Sequence, residues 1–167
     1  NHLRESRDGL KVGGHLASCA SVSAIMTSLY FHELTPADRV AVKPHASPAF
    51  HATQYLMGQQ DLQKLKDFRA YGGAQSYPSR TKDGGMVDFS TGSVGLGAAL
   101  TNFSALTQDY LRLHGMGGDK LPQGRMIALV GDAELDEGNV YEALMDTWKH
   151  DVRNVWWIID YNRQSLD

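Results

Sequence analysis

The sequence predicts an α/β fold, a mostly parallel sheet flanked by helices on both faces, and three consecutive segments carry that prediction. Residues 126–130 form a short apolar run that stops at Gly131-Asp132, as a buried strand does when it ends in a turn. Residues 136–150 place Val140, Ala143, Leu144 and Trp148 at helical spacing. Residues 155–159 are again apolar, aromatic and β-branched, and they end at Asp160-Tyr161-Asn162. Strand, helix and strand in that order make a βαβ unit with two parallel, neighbouring strands. Asp132 and Asn162 then share the carboxyl-terminal edge of one sheet, the edge where open α/β sheets bind ligands.

Two oxygen-bearing side chains at adjacent strand ends suit a hard cation such as Mg²⁺, which takes oxygen ligands and shares them with phosphates. A backbone carbonyl in the turn after Asn162 is a further candidate ligand. The alternative is local: Asp132 caps the next helix and Asn162 shapes a turn. Spacing alone leaves both readings open.

Length and composition narrow the class. A chain of 167 residues accommodates one domain with a core, and 42% apolar with 21% charged residues is the balance of a globular protein. Net charge is −3 without a basic block, which argues against nucleic acid as a partner. No apolar run reaches membrane-spanning length, and the polar start is no signal peptide. Cys19 has no second cysteine to pair with, which fits a reducing cytoplasm. The chain lacks a starting methionine and stops just past Asn162, so the expected domain is incomplete at both ends.

Taken from the start, Gly13-Gly14-His15 leads into a helix with Ser18 near its N-cap and a buried face of Val22, Ile25, Met26, Leu29 and Tyr30. Residues 39–42 read as a short strand. Lys43-Pro44-His45 follows at its end, and Ser47 and Pro48 are placed as N-cap and N1 of the next helix. His45 therefore falls at the same kind of edge as Asp132. The Lys43 charge either faces a ligand at that edge or is solvated, with solvation favoured. His51, further along the helix, reads as structural. Residues 59–68 form a short amphipathic helix, and 69–88 a long glycine-containing loop of the kind that usually carries function. Gly92-Ser93-Val94-Gly95-Leu96-Gly97 opens a helix over 98–114. Such a turn can present amide groups to a phosphate, although helix packing also selects glycine.

These segments resemble a known family. Gly131-Asp132-Ala133, with 28 residues before Asn162, is similar to the thiamine diphosphate motif, GDG followed at that distance by an asparagine. The string from Gly131 to Asp167 most resembles the homodimeric bacterial decarboxylating component of the pyruvate dehydrogenase complex, in the transketolase-like superfamily. GGHLAS, ending at Ser18, resembles that family's GGH-x-AS. PHASP resembles GHISPG, with Lys43-Pro44 in place of Gln-Gly, and SYP, around Tyr77, resembles SSYP. The turn from Gly92 matches the segment that wraps the aminopyrimidine ring. One departure stands at Ala133, where the motif has its second glycine. A methyl there crowds the diphosphate only if the backbone needs a positive φ.

The resemblance implies a single diphosphate-binding domain over 1–167, with thiamine diphosphate and Mg²⁺ as cofactors. It implies Asp132, Asn162 and the carbonyl of Gln164 as metal ligands. It assigns Ser18, His45, Tyr77, Val94, Gly131, Asp132, Ala133, Glu134 and Asn162 to cofactor binding, with Val94 as the apolar support of the bent cofactor. It assigns proton handling to His15 and His45, and places Glu137 at a dimer interface beside the activating glutamate of the other subunit. The implied substrate is a 2-oxo acid, pyruvate by default, and the acyl unit passes to a lipoyl-bearing acyltransferase. The implied assembly is a homodimer in which a pyrimidine-binding domain from the partner completes the site, so that this chain alone does not turn over. Alternatives are a transketolase-type enzyme acting on sugar phosphates, a nucleotide-binding oxidoreductase built on Gly92–Gly97, and a non-catalytic module that keeps the fold.

Overall fold

The central strand is the most hydrophobic stretch of the chain, and it is also the most enclosed. A computed structural model describes residues 15–83, 87–118 and 121–163. In it, β1 (Arg39–Ala41), β2 (Met126–Gly131) and β3 (Val155–Asp160) form one parallel sheet in the order β1-β2-β3. Every residue of β2 is buried. Alternation along the strand sends its side chains to two faces. Ile127 and Leu129 join Val22, Met26, Leu29, Val40 and Phe50 under α1 (Leu16–Ser28) and α2 (Ser47–Leu56). Ala128 and Val130 join Ala98 and Val140 under α4 (Leu96–Leu113) and α5 (Gly138–Lys149). Helices thus cover both faces, as expected. α3 (Leu62–Lys66) is a short helix after α2, capped by the Asp61 carboxylate, which accepts the N–H groups of Gln63 at 2.7 Å and Lys64 at 3.2 Å.

Several local expectations are corrected. α1 starts at Leu16 with His15 as its N-cap, so Ser18 lies inside the first turn instead of capping it. A 3-10 turn, Pro44–Ala46, precedes α2 and puts Ser47 and Pro48 one position further into the helix than predicted, with Ala46 as the cap. The helix expected over 59–68 is reduced to α3. Another 3-10 turn, Asp132–Asp136, delays α5 to Gly138. On α5 only Val140 and Ala143 of the predicted apolar face are buried; Leu144 and Trp148 are exposed, the latter by 85%. The polar Thr147 faces inward instead, its hydroxyl donating to Asn102 on α4 at 2.8 Å. Apolar spacing at 3.6 residues was real, but the contact face lies about one position aside from it.

The long loop is tied down by two buried polar residues. Asp83 accepts backbone N–H groups from Gln75 at 2.8 Å and Ser79 at 2.6 Å. His51 reaches the carbonyl of Gln75 from Nε2 at 2.8 Å, while Gln60 donates to its Nδ1 at 3.1 Å. This pattern assigns the neutral Nε2–H tautomer, so the structural reading of His51 holds.

Candidate cofactor site

The βαβ unit fixes the site's position. Gly131 pairs in register with Asp160, so β2 and β3 end side by side. Asp132 opens the 3-10 turn after β2, and Asn162 follows two residues after β3. Asp132 Oδ2 accepts the backbone N–H of Arg163 at 2.8 Å, which joins the two strand ends. Asp132 Oδ1 is buried and has no hydrogen-bond partner among the described residues. A buried carboxylate oxygen without a partner is costly, and a cation is a fitting counterpart. No group of three or more His, Cys, Asp or Glu side chains is gathered for a metal among the described residues. A cation here would therefore draw on amide and backbone oxygens beside Asp132, the donor set that Mg²⁺ prefers. Gln164 lies outside the described residues.

Ala133 sits in the 3-10 turn and is exposed. It is not among the non-glycine residues with positive φ, so its methyl group meets no backbone demand for glycine. Glu134 turns inward. Its Oε2 accepts the N–H of Gly95 at 3.2 Å, pinning the 3-10 turn to the start of α4. Burial pushes its carboxyl pKa up, against the pull of the Gly95 and Gly131 amides and the Lys43 charge. The chain's own carboxylate thus occupies the amide end of α4. That weakens the nucleotide-binding reading of Gly92–Gly97, because the position a phosphate would take is already filled. Val94 is half-buried just ahead of this contact. Glu137 is the exposed N-cap residue of α5 and its side chain makes no capping bond.

His15 and His45 come together although 30 residues separate them. Their rings meet edge to face with centroids 4.9 Å apart. His15 is exposed at the start of α1, and His45 is half-buried in the turn after β1. Burial, then the neighbouring His15 and Lys43, lower the His45 pKa. Ser18 is buried in the first turn of α1. Tyr77 is exposed on the loop held by Asp83.

A group that sequence reasoning misjudged lies at the middle of this edge. Lys43 is not solvated. It is 3% exposed, and its ammonium forms an ion pair with Asp160, itself 4% exposed. Ser21 Oγ donates to the same Asp160 oxygen at 2.7 Å, and Asn162 Nδ2 lies 3.3 Å from it. Lys43 reaches from the end of β1 across β2 to β3. Gly131 leaves room for this, since a Cβ there would lie 3.7 Å from the ammonium. The available signal was a Lys at one strand end and an Asp at another. It became readable only once the strand order placed Gly131 between them.

The parallel sheet, covered by helices on both faces, with Asp132 and Asn162 at adjacent strand ends, defines the class: an α/β domain with a polar site at its carboxyl-terminal edge. Comparison with known proteins agrees. No family model matches the chain. The chain is 30% identical over 174 residues to the pyruvate dehydrogenase E1 component of Escherichia coli strain K12, covering 99% of this chain and 19% of that protein. The protein of that name from Mycolicibacterium smegmatis is 30% identical over 176 residues, covering 98% of this chain and 19% of the relative. Among solved structures, a transketolase from Campylobacter jejuni superposes with a TM-score of 0.67 at 25% identity, covering 86% of this chain and 26% of that one. These likenesses support a fragment of a transketolase-like enzyme. The chain spans about a fifth of the length of the curated relatives it matches.

Proposed function

We propose that this chain is the diphosphate-binding part of a thiamine diphosphate- and Mg²⁺-dependent 2-oxo acid dehydrogenase of the pyruvate dehydrogenase type. The observation that carries the reading is the unpartnered, buried Oδ1 of Asp132 beside the strand end that bears Asn162. Asp132, Asn162 and the Gln164 carbonyl would hold Mg²⁺. Gly131, Ala133 and Glu134 would line the diphosphate, Ser18, His45 and Tyr77 would contact the cofactor, and Val94 would support its bent form. When bound, thiamine diphosphate supplies a carbon nucleophile and an electron sink for loss of carbon dioxide from the acid.

The chain's own residues orient and move protons. The lowered pKa keeps His45 neutral near pH 7, so the imidazole can accept a proton at the reacting edge. His15, packed on its ring, is the second member of that relay. Glu137 stands exposed at the start of α5, open to a partner subunit. Completion of the site takes a pyrimidine-binding domain from that partner in a homodimer, and a lipoyl-bearing acyltransferase receives the acyl group. The chain alone is inactive in this scheme. The single cysteine suits a cytoplasmic enzyme. No helix among the described residues is long and apolar enough to cross a membrane.

Calorimetric titration of thiamine diphosphate with and without Mg²⁺, beside an Asp132→Ala variant, tests this. Magnesium-dependent heat that vanishes in the variant supports the reading. Absence of heat both with and without an added pyrimidine-binding domain overturns it. A second reading, transfer of ketol units between sugar phosphates, is favoured by the transketolase likeness. Turnover of a ketose phosphate, without turnover of pyruvate, by the completed enzyme would select it.

A further inference from the structure

We infer that Lys43 is a positioning residue for the metal ligands: through Asp160 it fixes the direction in which Asn162 presents its side-chain oxygen. The inference rests on the reading of Asp132 and Asn162 given above. One oxygen of Asp160 gathers three donors from three elements: the Lys43 ammonium from the end of β1, Ser21 Oγ from α1 and the Asn162 amide nitrogen. Ser21 also lies 3.4 Å from that amide nitrogen. An amide is planar, with its nitrogen and oxygen diverging in that plane from one carbonyl carbon. Committing the nitrogen to Asp160 turns the oxygen, the atom a hard cation takes, away from the carboxylate.

The charge on Asp160 makes this orientation a strong preference. A neutral amide at 160 could offer either its oxygen or its NH₂ to Asn162, and the two orientations would then compete. A buried carboxylate needs a buried counter-charge, and Lys43 is that counter-charge. Its place beside Gly131 and Glu134 also brings the ammonium to the ends of all three strands. Groups that orient metal ligands from behind typically matter to affinity by about 10–100-fold.

The test is Mn²⁺ binding in the presence of inorganic diphosphate or thiamine diphosphate, with free Mn²⁺ counted by its electron paramagnetic resonance signal. It is made on the full chain at a temperature where circular dichroism finds every variant folded. Lys43→Met removes the charge but keeps the shape and strands Asp160, so it lowers the melting temperature and weakens Mn²⁺ binding. Lys43→Met combined with Asp160→Asn neutralises the pair. It recovers melting temperature relative to the single variant, yet still binds Mn²⁺ about tenfold or more weakly than the unmodified chain. Unmodified affinity in the double variant reduces the pair to a structural rivet and overturns the inference. Binding that Asp132→Ala abolishes and both Lys43 variants retain does the same and leaves the functional reading intact. No Mn²⁺ binding by the unmodified chain, both with and without an added pyrimidine-binding domain, overturns that reading and the inference with it.

Discussion

The guanidinium of Arg125 grips the carboxylate of Asp38, and this pair closes the sheet at the edge opposite the candidate site. Nη2 and Nε of Arg125 lie 2.6 and 3.2 Å from Asp38 Oδ2, and the Arg125 backbone N–H reaches Oδ1 at 2.7 Å. Thr35 adds a backbone N–H at 2.8 Å. The strand entries of β1 and β2 are thereby joined just before their first register pair, Arg39 with Met126.

Burial alone pushes the Asp38 carboxyl up, but the Arg125 and Thr35 hydrogen bonds together outweigh it and hold it well below the usual carboxylate range. A carboxylate with a depressed folded pKa contributes stability that is present above its unfolded value, near 3.9, and is lost as pH falls towards the folded value. Asp38→Asn is expected to cost about 2–3 kcal/mol at pH 7, since bonds to a charged group are involved. The difference between variant and unmodified chain should shrink as pH drops below about 4. Urea melts at pH 7 and pH 3 measure it; a gap that does not narrow between the two would show that shape, not charge, makes the contribution.

Asp83 and His51 make a second separable prediction, about the loop that carries Tyr77. Asp83→Ala frees the N–H groups of Gln75 and Ser79 and is expected to cost about 2–4 kcal/mol. Trypsin should then cut at Arg80 or Lys82 at concentrations that leave the unmodified chain whole. Burial also lowers the His51 pKa, with the Gln75 carbonyl and Asp83 acting the other way. Its neutral form stabilises the fold above the unfolded pKa, near 6.5, and that contribution falls as pH drops below it. His51→Gln should flatten the stability profile between pH 6.5 and the depressed value, and an unchanged profile would acquit His51.

The fold was legible because β2 and β3 are short apolar runs that end in polar turns, and the residues between them are helical in period. The positions of Asp132 and Asn162 followed from that alone. What escaped was set by packing between distant elements. Lys43 looked like any surface lysine until Gly131 and Asp160 were seen to share its end of the sheet. Trp148 satisfied a helical period and yet faces outward, because Thr147 and its contact with Asn102 fix the inner face of α5. Ser18 was displaced from its predicted cap by helix growth back to Leu16.

Gly95 predicts a contrast between two glycines with similar backbone. Gly95 and Gly58 have φ of +76° and +73°. A Cβ at Gly95 would run into Asn139 Oδ1 and approach Val140 Cγ2 to 2.9 Å, whereas nothing lies within 4 Å at Gly58. Gly58→Ala should therefore cost only the left-handed backbone penalty, about 1–2 kcal/mol. Gly95→Ala adds displacement of α5 and should cost about 2–4 kcal/mol in total. Equal melting temperatures for the two variants would mean that α5 gives way freely at Asn139.

Ala133 separates a tolerated motif change from a lost site. Its backbone lies in the 3-10 turn without positive φ, and its methyl group points to solvent among the described residues. Restoring glycine, Ala133→Gly, should then change thiamine diphosphate affinity by no more than about twofold. It should also lower stability by about 0.5–1 kcal/mol, from the extra freedom of the unfolded chain. Calorimetric titration and thermal melts read the two effects independently. A tenfold or greater gain in affinity would place the methyl against the diphosphate, and the turn would have to adopt a different backbone when the cofactor binds.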